Sequence, residues 1–203
     1  MPQLSREENI TRVYCKWYNR AMRQIANVAA FCLLSACAAV SLRAQTPAKA
    51  SGFRDMFLGQ LKDVESKVTG LVEAMPEEKY NWRPEEGVRS VKEVFLHIAF
   101  ANYFLPSFIG VKPPAGISPA MEKAPADKAK VLETVKNSFA HIRQVVTNLP
   151  DADLDKQTKF FGQEMTYREM LFFTANHMHE HLGQSIAYAR TNHVTPPWSK
   201  KND

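Results

Sequence analysis

Apolar residues recur at steps of three and four from residue 57 onward, which is the spacing of one face of a helix. In the first predicted helix this face comprises Phe57, Leu61, Val64, Val68, Leu71 and Met75. A third helix is predicted from about Asp127 to Leu149, with a face made of Val131, Val135, Ser138, Ile142, Val145 and Leu149. Pro76 and Pro150 follow these helices and end them, because proline cannot donate the next backbone hydrogen bond.

Two further helices are marked by capping boxes, in which Ser90 pairs with Glu93 and Thr166 pairs with Glu169. The inward face of the second helix is predicted to contain Val94, His97, Ala101, Phe104 and Phe108. That of the fourth helix is predicted to contain Met170, Thr174, His177, His181, Gln184 and Tyr188. Pro106 predicts a kink or an early end in the second helix.

Four amphipathic helices without a convincing strand predict an all-α fold, a four-helix bundle. The long connection between the second and third helices, residues 111–126, contains four prolines. When extended it can span roughly 50 Å, whereas a 20-residue helix is about 30 Å long. The chain can therefore return along the bundle, so we expect helices two and three to be parallel in an up-down-down-up order.

An 18-residue segment without charge, residues 25–42, precedes the predicted bundle, and Arg20, Arg23 and Arg43 flank it. A charged start, an apolar stretch and small residues are typical of a secretory signal. The alternative is a retained membrane anchor, although a spanning helix needs about 20 apolar residues. We interpret residues 1–44 as a targeting segment whose biological start is Met22, and residues 45–52 as a linker.

Two processing routes remain open for this segment. Leu34-Ser35-Ala36-Cys37 resembles a bacterial lipobox, in which Cys37 would be acylated, and ordinary cleavage near Ala44 is the other route. Either route predicts a protein exported to the periplasm or cell envelope of a bacterium. It would touch a membrane only through its signal or a lipid anchor.

The leader also accounts for most of the net charge of +5, which comes from 26 basic and 21 acidic residues. Residues 1–44 hold six basic and two acidic residues, so the remainder carries a net charge of +1. The basic balance is therefore no argument for a nucleic-acid partner, and none is expected. All three cysteines lie within the first 37 residues, which excludes disulfides and thiolate metal sites from the mature part.

Three histidines are the strongest candidates for chemistry. His177 and His181 are one turn apart on the same helix face, and His97 falls on the predicted inward face of its own helix. Three imidazoles that converge in a bundle suit zinc, nickel, copper or iron and leave a coordination position open. The alternative is hydrogen-bonded core histidines, which would need a partner for each ring nitrogen. His179 lies about 200° around the helix from His177 and should point away.

Two neighbouring residues are candidates to support such a site. Gln184 follows His181 by three residues and could orient a ligand or a bound water. Glu180 could act as a general base. The alternatives are a buried amide for Gln184 and a solvated surface carboxylate for Glu180.

Two motifs surround the histidines. The first comprises Tyr80-Asn81-Trp82-Arg83-Pro84, Gly87, Ser90-Val91-Lys92-Glu93-Val94 and His97-Ile98-Ala99, and the second is His177-Met178-His179-Glu180-His181-Leu182-Gly183-Gln184. Both motifs resemble those of the DinB-like (damage-inducible) family. The resemblance covers about Phe53 to Asn192. It implies a bundle over residues 53–192, followed by a polar tail over 193–203. It also implies a divalent metal ion bound by His97, His177 and His181, with zinc and nickel as the favoured metals.

Some members of that family are thiol-dependent transferases or isomerases, so the resemblance implies a thiol-type transferase that acts on a small molecule. A divalent ion on three histidines could also activate water, which predicts a metal-dependent hydrolase. Two departures weaken the transferase interpretation. Glu180-His181-Leu182-Gly183 supplies neither the His-Arg-Gly-Gln run nor the second adjacent histidine that members often have, and an exported protein would meet little cytoplasmic thiol. The alternative is a non-catalytic, metal-stabilised binding or scaffold bundle. A homodimer is also expected.

Overall fold

The computed structural model describes residues 52–199, and the predicted signal segment with Met22 and Cys37 lies outside them. Four helices form the bulk of this part of the chain: α1 (Phe53–Ala74), α2 (Val91–Phe104), α3 (Lys128–Asn148) and α4 (Tyr167–Thr191). A hairpin of two short strands, β1 (Gln157–Phe160) and β2 (Gln163–Thr166), precedes α4. No helix within residues 52–199 has the length and apolar character needed to cross a membrane.

Side-chain caps begin three of the four helices. Both predicted capping boxes form, because the hydroxyl groups of Ser90 and Thr166 accept from the backbone amides of Glu93 and Glu169, whose carboxylates accept in return. Asp127 caps α3 by accepting from the amide of Lys130 at 2.8 Å. The starts of α2 and α4 were therefore readable from the sequence to the residue, and that of α3 approximately.

Replacing the buried Ser90 by alanine should lower the free energy of unfolding by about 1 kcal/mol, because the amide of Glu93 loses its acceptor. Urea denaturation measures this difference. Ser66→Ala is the matched control: Ser66 is exposed in the middle of α1, where alanine is the better helix former. An equal loss in both variants would contradict the capping role.

Contacts at the helix ends establish the predicted up-down-down-up order. The ammonium group of Lys128, at the start of α3, donates to the carbonyl of Met75 just after α1, at 2.9 Å. The amide of Lys92, at the start of α2, donates at 2.9 Å to the carbonyl of Tyr80, five residues after Met75. Helices α2 and α3 therefore both start where α1 ends. The guanidinium of Arg168, in the first turn of α4, lies 5.2 Å from the ring centre of Phe53, so α4 runs parallel to α1.

Each of α1 and α2 packs against both α3 and α4. The two pairs α1 with α2 and α3 with α4 therefore occupy the diagonals of the bundle. Apolar side chains from all four helices fill the space between them, including Val68, Phe95, Phe139 and Met170, each at most 1% exposed. Helices α2 and α4 are thus antiparallel neighbours, which matters for the histidines they carry.

The inward face of α2 is rotated from the one predicted. Its fully buried residues include Phe95, Ile98 and Asn102, whereas His97 and Phe104 are only half-buried. The helix ends at Phe104, and Pro106 lies within a 3₁₀ helix (Leu105–Ile109), as its ring requires. His97 consequently lies at the edge of the core, where a ligand can reach it.

The hairpin before α4 was not predicted. Its two-residue loop, Phe161-Gly162, has positive φ at both positions, 48° and 87°, and such loops usually read Asn-Gly. Phenylalanine in the first position makes the turn unrecognisable from the sequence. It also destabilises the folded state by roughly 1–3 kcal/mol, because its Cβ crowds the backbone in this conformation. The ring of Phe161 is 80% exposed.

Candidate metal centre

His97 of α2 faces His177 and His181 of α4 across the antiparallel helix pair. One ring nitrogen from each of the three lies within 4.8 Å of the other two. The Nε2 atoms of His97 and His177 are 3.1 Å apart, and the three ring centres are separated by 4.5 to 4.9 Å. The structure therefore brings together the three histidines that the spacing singled out.

A carboxylate from outside the helices orients His97. The Nδ1 atom of His97 lies 2.7 Å from an oxygen of Glu122, which belongs to a 3₁₀ helix (Pro119–Lys123) in the long connection between α2 and α3. The other oxygen of Glu122 accepts from Nε of Arg89 at 2.8 Å. Because a carboxylate only accepts, Nδ1 of His97 carries the proton, and its Nε2 lone pair points toward the other two rings.

Burial alone would raise the pKa of Glu122, but the hydrogen bonds from Arg89 and His97 outweigh it and hold the pKa below its ordinary value. Glu122 is therefore ionised at neutral pH. The pKa of His97 is lowered, because burial disfavours the imidazolium and the hydrogen bond with Glu122 offsets only part of that effect. An ionised carboxylate beside a neutral imidazole is the pair that tunes and orients metal-bound histidines in many proteins.

Gln184 orients His181 in the same way. The Nδ1 atom of His181 donates to the amide oxygen of Gln184 at 2.8 Å. The amide nitrogen of Gln184 donates to the hydroxyl of Tyr188 at 3.0 Å, and that hydroxyl donates to the carbonyl of Arg89 at 3.2 Å. This series of hydrogen bonds connects α4 to Arg89, which also donates to Glu122. His97 and His181 are therefore both linked to Arg89, one through Glu122 and the other through Gln184 and Tyr188.

His177 is half-buried, like the other two histidines. Burial, followed by the neighbouring His181 and His97, lowers its pKa to about 3, so its ring is neutral at physiological pH. Its Nδ1 atom is buried and has no hydrogen-bond partner among the described residues. A buried polar atom without a hydrogen-bond partner destabilises the fold by roughly 1–3 kcal/mol. Hydrogen bonds among the three rings therefore do not provide a partner for every ring nitrogen.

The donor set fits a divalent transition metal. Neutral imidazole nitrogens are ligands for zinc, copper, iron and nickel. Two nitrogens that bind zinc at 2.0–2.1 Å in tetrahedral geometry lie about 3.3 Å apart, close to the 3.1 Å between Nε2 of His97 and Nε2 of His177. Three histidines leave a fourth position, which is the composition of catalytic rather than closed structural zinc sites.

Three other side chains lie outside this cluster, those of Glu180, His179 and His141. Glu180 is exposed, and its carboxylate is not part of the group whose ligand atoms converge. His179 bonds through Nδ1 to the carbonyl of Ala175 at 2.9 Å and lines a groove between α1 and α4. His141 packs 5.1 Å from the ring of Tyr103.

Glu122 and Arg89 are the site residues that the sequence reasoning missed. Glu122 is the only acidic residue in the proline-rich connection of residues 111–126, and that isolation was an available signal. Which segment of a 16-residue connection lies against α2 could not be read from periodicity, because the segment has none. Arg89 precedes the capping box and gave no signal of its own.

A cleft of about 630 Å³ opens beside Glu122 and Gln184, on the side toward the start of α2. Its lining includes Arg83, Arg89 and Lys123 together with Glu93 and Glu122. Arg83 pairs with Glu93 at 3.3 Å and Arg89 pairs with Glu122 at 2.8 Å. The charge of Lys123 is not balanced by a carboxylate of the lining, so the cleft has a net positive charge, and we call it the basic cleft. Its volume is in the range of small-molecule sites.

Replacing Glu122 by glutamine should weaken metal binding by about 10- to 100-fold, because the amide keeps the shape but loses the charge that orients and polarises His97. Titration of metal-free protein with zinc in a competing chelator measures the change. Glu180→Gln removes an exposed carboxylate of α4 and should leave the affinity unchanged. Equal affinity in wild type and Glu122→Gln would contradict the role given to Glu122.

Solved structures similar to this chain have the same fold. A DinB-like protein of Bacillus cereus ATCC 10987 is 20% identical with a TM-score of 0.62, over 70% of this chain and 93% of that one. The DinB-like protein YjoA of Bacillus subtilis is 18% identical with a TM-score of 0.56, over 73% of this chain and 99% of that one.

A third structure carries a functional description. YfiT of Bacillus subtilis, described as "a probable metal-dependent hydrolase with an unusual four-helix bundle topology", is 16% identical with a TM-score of 0.55, over 70% of this chain and 89% of that one. Among curated proteins, none matches this chain. The model of the DinB superfamily matches residues 60–185. Since that match spans more than half of the sequence, the chain belongs to the DinB superfamily.

Proposed function

We propose that this protein is a metal-dependent hydrolase whose divalent ion is held by His97, His177 and His181. The observation that carries the proposal is the convergence of three imidazoles within 4.8 Å, two of them fixed through Nδ1 so that Nε2 faces the common centre. The description of YfiT as "a probable metal-dependent hydrolase", for a structure of the same fold, supports the same reaction class.

A divalent ion at this position supplies a Lewis acid and lowers the pKa of bound water toward neutrality. The residues of the chain prepare that chemistry. Glu122 holds the proton of His97 on Nδ1, and Gln184 holds that of His181 on Nδ1, so both rings keep the tautomer that can bind a metal. The low pKa of His177 keeps its ring unprotonated as well.

The basic cleft provides the route for a substrate. It is lined by Glu122 and Gln184, each of which bonds directly to a histidine of the site. The positive excess from Lys123 and the divalent charge both favour a substrate with an oxygen-rich or anionic part. A carbonyl, carboxylate or phosphoryl oxygen at the open metal position would meet these requirements.

The experiment is elemental analysis of the full chain purified without a histidine tag, followed by turnover of ester, amide and phosphoester panels in ¹⁸O-labelled water. We expect one metal ion per chain and product that contains the label. Metal-free protein from metal-replete medium would overturn the proposal. Bound metal that raises the melting temperature while every panel stays blank would favour the alternative, a metal-stabilised binding bundle.

We also propose that residues 1–44 export the protein to the periplasm or cell envelope. The support is the uncharged segment between Arg23 and Arg43, with Cys37 in a lipobox-like context. Fractionation of cells that express the full chain, with Cys37→Ala as the matched variant, separates the two processing routes. Palmitate labelling that depends on Cys37 would favour lipidation, and cytoplasmic retention would overturn export.

A further inference from the structure

A strip of aromatic rings starts one helical turn from the histidines and runs away from the basic cleft. This aromatic strip consists of Phe100, Phe104, Phe108, Phe160 and Phe173. Phe100 stacks on Phe104 at 5.2 Å, Phe104 meets Phe108 edge-on at 5.3 Å, and Phe160 contacts both Phe108 and Phe173 at 4.9 and 4.8 Å. Its rings come from α2, the 3₁₀ helix after it, β1 and α4.

The strip follows the histidines along the same two helices. Phe100 follows His97 by three residues, and Phe173 precedes His177 by four, so each lies one turn from a histidine on the same face. Four of its five members are half-buried and Phe173 is 37% exposed, so ring surface remains open to a ligand. The strip reaches about 10 Å along α2 from His97 to Phe104.

The hairpin tip adds a sixth ring at the far end. Phe161 lies 4.6 Å from Phe160 and 6.0 Å from Phe108, and it is 80% exposed. It also occupies a positive-φ position that glycine or asparagine would take without strain. An exposed ring gains little from burial, so neither packing nor backbone preference explains phenylalanine there.

We propose that the aromatic strip, with Phe161 at its end, binds an aryl group of the substrate while the reacting bond lies at the histidines. This assignment rests on the proposed hydrolase function and names its substrate class: compounds whose acyl part carries an aryl group. The polar remainder then faces the basic cleft, on the other side of the histidines. Flat rings favour aryl groups because they can stack or meet edge-on.

Two metal-binding probes that differ only in their acyl group test the assignment. Calorimetric titration of the metal-loaded full chain should show 3-phenylpropionohydroxamate binding at least tenfold more tightly than acetohydroxamate, because only the former buries a phenyl ring. Phe173→Ala and Phe161→Gly should reduce that ratio to below about threefold and leave acetohydroxamate unaffected. Phe172→Ala is the matched control, since Phe172 is exposed on α4 but lines the groove toward α1.

Phe161→Gly has a second expected result, a higher urea midpoint than wild type, because glycine relieves the strain at φ 48°. Weaker aryl binding in a more stable variant is the signature of a residue retained for binding. A structural role for the ring would instead lower the midpoint and would contradict its assignment to the substrate.

Equal affinities of the two hydroxamates for the wild type would overturn the aromatic strip as a substrate site while leaving the metal site intact. If the chain binds no metal, both hydroxamates fail, which overturns the proposed function instead. In that case saturation-transfer NMR with 3-phenylpropionate decides about the strip without metal. A saturation-transfer signal of the phenyl protons that is weaker with Phe173→Ala than with wild type, but unchanged with Phe172→Ala, supports the strip. Equal signals with wild type and both variants overturn it.

Discussion

Replacing His181 by alanine should remove the metal from the chain, from one ion per molecule to less than a tenth under dilute, metal-buffered conditions. Removing one of three nitrogen ligands costs on the order of 3 kcal/mol or more of binding free energy, a share of the roughly 10–16 kcal/mol measured for structural zinc sites. That corresponds to an affinity loss of at least about 100-fold. Elemental analysis after gel filtration measures the stoichiometry.

His179→Ala is the matched control for His181→Ala, because His179 lies on the same helix, two residues away, and bonds to a backbone carbonyl instead. It should keep full metal content. The thermal response separates the variants further: a metal at about 1,000 times its dissociation constant stabilises the folded state by roughly 4 kcal/mol. A chelator should therefore lower the melting temperature of wild type and His179→Ala but not of His181→Ala. Metal retained in His181→Ala would contradict the site.

Replacing Phe95 by alanine should lower the free energy of unfolding by about 3–5 kcal/mol, since a fully buried ring is lost and a cavity remains. Phe95 is 1% exposed on α2, two residues before His97, and its ring lies 6.4 Å from that of Tyr80. Such a loss is a large part of the roughly 5–15 kcal/mol that stabilises an ordinary domain. Urea denaturation, with and without chelator, measures it.

Phe172→Ala provides the comparison for Phe95→Ala, because the same ring is removed from a position that is 59% exposed. We expect a change below about 0.5 kcal/mol there. Similar losses in both variants would mean that the packing of α2 against the bundle does not depend on Phe95. The fold would then have to be stabilised in another way than the buried contacts indicate.

The architecture was readable from the sequence wherever short-range chemistry determines structure. The capping boxes at Ser90 and Thr166 placed the starts of α2 and α4, and Pro106 predicted where α2 ends. The proline-rich connection predicted the parallel pair of α2 and α3. The hairpin was not predicted, because Phe161 occupies a turn position where asparagine or glycine is usual.

The histidine cluster was readable because its members have helical spacing, but its supporting residues were only partly so. Gln184 lies one turn from His181 and was found by the same spacing rule. Glu122 is 25 residues from His97, in a segment whose path depends on tertiary packing. The aromatic strip was likewise not predictable. The helical spacing predicts Phe104 and Phe108 on the core face, whereas the rotation of α2 places them at its edge.

The separation of the histidines along the chain bears on biosynthesis. His97 and His177 are 80 residues apart, and α4 is the last of the four helices to leave the ribosome. A nascent chain that ends after α3 carries His97 without either partner, so it cannot assemble the three-nitrogen site. Metal uptake would therefore mark a polypeptide whose synthesis and folding are both complete, and premature fragments would remain apo.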